Sequence, residues 1–194
     1  MLLVAEAALG ADEVAALTEV IASGWITMGE RVRQFEQAFA EHHLADDAIA
    51  VASCTAGLHL ALRALGIGPG DEVLVPSLTF VATVNSILYV GATPVFVDIE
   101  SLQKPHISLQ DAAVRCTPRT KAAVVMHFAG YLVDADAWKA FAQARGLLLI
   151  EDAAHAAGVQ GVGRHADATV FSFFGNKNMT TAEGGMIFAA DVGV

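Results

Sequence analysis

Cysteine is scarce in this chain of 194 residues, which carries only Cys54 and Cys116. Two thiols so far apart make neither a disulfide framework nor a zinc motif, and a reducing cytoplasm is the expected setting. Basic charge is scarce as well. Eleven Lys and Arg stand against 21 Asp and Glu, for a net charge of −10. A globally acidic surface argues against nonspecific nucleic-acid binding, so no nucleic-acid partner is expected. It leaves room for anionic ligands, which local backbone donors can hold. No apolar run is long enough to span a bilayer, because His, Asp, Gly or Pro interrupts each candidate. The opening Met1-Leu-Leu-Val-Ala5 meets Glu6 at once and lacks the basic stretch of a signal peptide. Internal repeats, linkers and low-complexity tracts are also missing.

What the chain does have is apolar mass. It is 55% hydrophobic and 16% charged, the composition of a well-packed domain and not of a disordered chain. Its length suffices for one domain with a sizeable core. Residues 1–47 read as a helical N-terminal segment. Val14, Leu17 and Ile21 give residues 11–23 a helical period, with Gly24 as its stop and Trp25–Gly29 as a loop. Phe35 and Phe39, four apart, mark a second helix over 31–44. From residue 48 to 194 the pattern alternates. Strands are expected at Ala48–Ala52, Val73–Val75, Pro94–Asp98, Ala122–His127, Leu147–Glu151, Ala168–Phe173 and Gly185–Ala190. Helices are expected over Thr55–Leu65 and around 80–90, 108–116 and 134–145. The strands are apolar throughout and do not alternate, as strands buried on both faces do. The fold class is therefore α/β, a three-layer αβα domain with a mostly parallel sheet.

Gly66-x-Gly68-x-Gly70 joins a helix to a strand, the reverse of a dinucleotide fingerprint, and lacks its third spacing. It reads as a turn. No Walker-type loop is present. Ligands of such sheets collect at the carboxyl ends of the strands, and several segments there carry chemistry. Lys177 follows the Ala168–Phe171 run among small and polar residues, where a lysine can form a Schiff base or be merely a solvated cation. Glu151-Asp152-Ala-Ala-His155 follows Leu147–Ile150. Asp152 can hold a pyridinium nitrogen or cap the next helix. His155 reads equally as a ligand or as a capping or core histidine. Ser53-Cys-Thr55-Ala56-Gly57 opens a helix whose free N–H groups and dipole favour a phosphate, or Ser53 and Thr55 only cap it. Phe80 can stack on a flat ring or pack in the core.

The ordered set of segments resembles the DegT/DnrJ/EryC1/StrS family of sugar aminotransferases, which depend on pyridoxal 5'-phosphate (PLP) and have fold type I. The matching stretches are Ser23-Gly-Trp25-Ile-Thr27-x-Gly29, Ser53-Cys-Thr-Ala-Gly57, Gly70-Asp-Glu-Val73, Pro76-Ser-x-Thr-Phe80-Val-Ala-Thr83, Gly91-Ala-Thr-Pro94-Val-x-Val-Asp98, Thr117-Pro-Arg-Thr-Lys121, His127-x-Ala-Gly130, Glu151-Asp-Ala-Ala-His155 and Ser172-Phe-x-x-x-Lys177-Asn. They run through nearly the whole chain. Within the family, Ser53–Gly57 and Lys177–Gly185 look most like the branch that aminates a UDP-linked 4-keto-pentose to UDP-4-amino-4-deoxy-L-arabinose.

The resemblance implies roles. Lys177 would hold PLP as a Schiff base and then shuttle a proton. Asp152 would pair with the pyridine nitrogen and Phe80 would stack on the ring. Thr55, Ala56 and Ser172 would bind the phosphate, and His155 would lie near the 3-oxygen. Thr27 and Gly29 would lie near the substrate, a nucleotide-linked keto sugar, with an amino acid such as L-glutamate as donor. A homodimer is implied, with the cofactor site at its boundary. Phe174 stands where relatives often carry His or Pro, and Gly175-Asn176 is unusual. The family continues into a smaller second domain, whereas this chain stops soon after Gly184-Gly185. That opens the reading of a PLP-binding fragment that is inactive or regulatory. A sugar dehydratase would carry histidine in place of Lys177. A metal hydrolase built on His127, Asp152 and His155 lacks a tight ligand cluster, and no metal is expected.

Overall fold

The computed structural model describes residues 7–189. The Met1–Glu6 start and Ala190, the expected end of the last strand, lie outside them. Two helices come first, α1 (Ala11–Ser23) and α2 (Glu30–His43). The remainder alternates: β1 (Ile49–Val51), α3 (Cys54–Ala64), β2 (Glu72–Pro76), α4 (Val81–Tyr89), β3 (Thr93–Val97), α5 (Leu109–Arg115), β4 (Thr120–Met126), α6 (Ala135–Arg145), β5 (Leu148–Asp152), β6 (Ala168–Ser172) and β7 (Gly185–Ala189). All seven strands join one sheet in the order β1-β7-β6-β5-β4-β2-β3. The five central and outer strands β2 to β6 pair in parallel, while β7 runs antiparallel to both β6 and β1. The sheet is thus mostly parallel, as expected.

Strand alternation divides the core between two faces. Val73 and Val75 of β2, with Val124, Ile150 and Val170, pack under Leu58 and Leu62 of α3 and Ile87 of α4. Leu74, Ala123, Val125 and Leu149 point the other way, under Ala112 of α5 and Trp138 and Ala142 of α6. A third cluster gathers Phe39 of α2 with Phe171, Phe173, Met186 and Phe188. Helices on both faces of one sheet make the three layers.

Gly57 sets how closely α3 lies on the sheet. A Cβ there would stand 2.5 Å from Val170 Cγ1 and 3.2 Å from Ile187 Cγ1. The glycine run is a turn, with Gly66 and Gly70 at positive φ and Asp71 Oδ2 accepting from Gly68 N–H at 3.0 Å.

Strand ends differ from expectation where pairing overrides polarity. β4 begins at Thr120 because Glu72 pairs with it across the ladder. His127 leaves that strand and turns the chain into a 3-10 turn, Phe128–Gly130, in which Ala129 takes φ 53. Helix α1 forms as expected and stops at Gly24 with φ 73. Its apolar stripe covers nothing, however. Val14, Leu17 and Ile21 are 65%, 63% and 71% exposed, and α1 buries no residue.

Candidate active site

Register brings the chemistry together. Met126 pairs with Asp152, and Asp152 pairs with Val170, two residues before Ser172. The carboxyl ends of β4, β5 and β6 therefore finish at one edge, beside the starts of α3 and α4. A cavity of about 550 Å³ opens there, and Thr55, Phe80, Asp152, His155, Ser172 and Lys177 all line it.

Asp152 is buried, and both of its oxygens accept. Thr83 Oγ1 donates to Oδ2 at 2.6 Å, and Ala154 N–H donates to Oδ1 at 3.1 Å. The Cys54 thiol lies 3.9 Å from Oδ1. Burial and the Asp152 charge push that thiol well above its ordinary range, so Cys54 is a poor nucleophile. The N-cap reading of Asp152 gives way to a carboxylate held at a strand end.

Lys177 Nζ lies 2.9 Å from His155 Nε2. The other ring nitrogen, Nδ1, accepts from Ala129 N–H at 3.1 Å. In the neutral ring that bond leaves the proton on Nε2, facing the lysine; this tautomer is assigned from the hydrogen bonds. Burial lowers the His155 pKa from its ordinary value, and the Lys177 charge lowers it further, against Asp152. His155 thus ties down the turn Phe128–Gly130 through Nδ1 and lines the cavity with the rest of its ring.

Across the cavity, Ser53 caps α3. Its Oγ accepts from Ala56 N–H at 3.2 Å. That bond engages the donor expected of Ala56, which does not line the cavity, whereas Thr55 does. Gly185 passes beneath this helix start, where a Cβ would meet Cys54 N at 2.8 Å. Phe80 ends the loop before α4 and is 64% exposed, so it is not packed in the core. Ser172 is buried, and its Oγ accepts from Phe174 N–H at 3.4 Å.

Thr27 and Gly29 are elsewhere. They line a larger cavity of about 740 Å³ between α1 and α2, beside Trp25, whose Nε1–H donates to Met28 O at 3.0 Å. Glu19 and Arg31 in that cavity pair with each other. His127 does not line the Lys177 cavity either. Its Nδ1 accepts from Val133 N–H, and its Nε2 lies 3.4 Å from Glu151 Oε2 on the opposite face of β5. Among the described residues, no group of three His, Cys, Asp or Glu is placed to hold a metal. The hydrolase set therefore does not assemble.

Residues 7–193 match the DegT/DnrJ/EryC1/StrS aminotransferase family. The chain belongs to that family. Among its relatives is the spore coat polysaccharide biosynthesis protein SpsC of Bacillus subtilis (strain 168), 48% identical over 189 residues, which cover 94% of this chain and 48% of the relative. The aminotransferase TlmJ from Streptoalloteichus hindustanus superposes with a TM-score of 0.93 at 39% identity, over 98% of this chain and 54% of that one. The PLP form of the sugar aminotransferase Spr1654 from Streptococcus pneumoniae, itself described as putative, gives 0.89 at 30% identity, over 100% and 54%. The chain spans about half the length of these family members. Its fold is that of the PLP-dependent aminotransferases.

The structure adds residues to the site that sequence reasoning left without a role. Thr83, Cys54, Met126 and Glu183 all touch Asp152 or line the cavity. Thr83 had one visible signal, its place in the Pro76–Thr83 segment after a strand.

Proposed function

We propose that this chain is the cofactor-binding part of a PLP-dependent aminotransferase that moves an amino group from an amino acid such as L-glutamate to a nucleotide-linked keto sugar. The observation that carries the reading is the convergence of Lys177 and the held Asp152 carboxylate in one cavity, across from the start of α3. The donor set suits PLP. A primary amine, a carboxylate and a helix N-terminus match an aldehyde, a pyridine nitrogen and a phosphate. The relatives named as aminotransferases support the same class.

Bound there, PLP supplies an electron sink for the carbon that exchanges its amino group. This chain's residues do the rest. Lys177 would hold the cofactor through Nζ and, once an incoming amine has displaced it from that bond, would carry the proton on the same nitrogen. Asp152 would face the ring nitrogen and hold its proton there. His155 stands beside Lys177 Nζ with its ring fixed by Ala129 N–H, and its Nε2–H donates to the lysine once Nζ is an uncharged amine. Phe80 offers its exposed ring as a lid over a flat ligand. Thr55 and Ser172, with the first N–H groups of α3, receive the phosphate. Lysine at 177 supports transamination over dehydration.

We also propose that the chain works as a homodimer. The exposed stripe of α1 supports this, since apolar surface of that kind is costly in water. Thr27 and Gly29 stand apart from Lys177 within one chain, and they would serve the substrate of a second copy. The assay is the half-reaction: purified chain is loaded with PLP and given L-glutamate. Conversion of the bound cofactor to its amine form supports an aminotransferase. Stable PLP binding without conversion leaves a cofactor-binding fragment.

A further inference from the structure

The Asp152 carboxylate owes its orientation to a hydroxyl from another element. Thr83 sits in the first turn of α4, wholly buried, with Oγ1 2.6 Å from Asp152 Oδ2. Thr79 Oγ1 lies 2.7 Å from Thr83 Oγ1 and 3.0 Å from Met126 Sδ. Each hydroxyl has one proton to give, and a carboxylate can only accept. The Thr83 proton therefore goes to Asp152. The Thr83 oxygen then takes the Thr79 proton, for which the Met126 sulfur is the weaker acceptor. The chain of donors runs one way, from Thr79 through Thr83 to Asp152. Ala154 N–H holds the other carboxylate oxygen. A donor on each oxygen stops the carboxylate from rotating. Valine would fill the Thr83 volume as well, so Asp152 is what calls for a hydroxyl here.

On the cofactor reading above, we propose that Thr83 is a positioning residue that fixes Asp152 for the protonated pyridine nitrogen of PLP, with Thr79 setting the direction of its proton. The Pro76–Thr83 segment then does two tasks three residues apart. Phe80 faces the ring, and Thr83 holds the group that meets the ring's nitrogen.

The test compares two probes on the purified chain. One is PLP; the other is its carbocyclic analogue, in which CH replaces the ring nitrogen. Binding is followed by absorbance titration. Thr83→Val should weaken PLP binding about 10-fold or more, the loss expected for a hydrogen bond to a charged group. It should leave analogue binding nearly unchanged, because no nitrogen is there to be met. Thr83→Ser should restore PLP binding. Equal weakening of both probes, or no weakening of either, overturns the proposal. If Thr83→Val fails to fold by circular dichroism, Thr79→Val at the half-buried outer hydroxyl replaces it. The same selective loss, smaller in size, is expected there, and an unselective or absent loss overturns the proposal. If the unaltered chain takes up no PLP, the cofactor reading itself falls and takes this proposal with it.

Discussion

Lys177 Nζ and His155 Nε2 stand 2.9 Å apart although 22 positions separate them in the chain. The contact joins the loop after β6 to the loop after β5. Ala129 N–H, from the turn after β4, completes it by engaging His155 Nδ1. Three neighbouring strand ends thus meet at one amine. Burial, and then the lysine charge, hold the imidazole below its ordinary pKa.

Asp152→Asn should leave the fold intact and slow the half-reaction with L-glutamate by about 100-fold or more, the scale of losing one aligned electrostatic partner. An amide still accepts from Thr83 but cannot hold a pyridinium charge. Single-turnover absorbance measures the rate. A silent substitution would show that the ring nitrogen meets another group.

Gly57→Ala should cost about 1–3 kcal/mol, the range for overpacking. The added Cβ would stand 2.5 Å from Val170 Cγ1 and must lift α3 from the sheet. Because α3 also presents Thr55 to the cavity, PLP affinity should fall with stability. Urea unfolding and PLP titration of the same variant check both. Unchanged stability would mean that α3 and β6 give way more easily than their packing implies.

Acid should destabilise the chain through its buried histidines. Burial lowers the pKa of His43, which lies among Phe39, Phe171 and Phe188, and the nearby His42 lowers it further. His106 is shifted the same way, by burial and then by Lys104. Unfolded, each titrates near the ordinary histidine value of 6.5. Below that pH the unfolded chain binds more protons than the folded one, so stability falls as pH drops through 6.5 toward the lower folded values. His43→Gln keeps an acceptor for Gly158 N–H, which His43 Nε2 serves at 3.1 Å, and does not titrate. Its unfolding midpoint should lose less on moving from pH 7 to pH 5. An identical pH slope in the variant would remove His43 from the account.

The stripe of α1 should drive association. Sedimentation at micromolar concentration should find a dimer or larger species. Leu17→Glu with Ile21→Glu should shift it toward monomer while leaving circular dichroism unchanged, since neither side chain is buried. A clean monomer before substitution would contradict the homodimer.

The strands were legible because burial on both faces writes an apolar run, and the helices because their stripes repeat at helical spacing. What covers a stripe is not written in its period, and so the exposure of Val14, Leu17 and Ile21 was hidden. Lys177 and Phe80 follow strands and Asp152 closes one, so their place at a single sheet edge was legible. Ala56 could not be judged, since whether its N–H is free depends on the Ser53 rotamer. Thr83 was hidden for a different reason. Its partner Asp152 is 69 positions away, and a buried threonine in a helix reads as packing until the carboxylate beside it is seen.

The central claim is that Lys177 is the amine that holds PLP. Purified chain is mixed with PLP, reduced with borohydride, digested and examined by mass spectrometry, with Lys177→Ala treated in parallel. The account predicts one pyridoxyl group, carried by the peptide that contains Lys177, and none fixed in the variant. Labelling spread over other lysines, or labelling that persists at an equal level in Lys177→Ala, would contradict it.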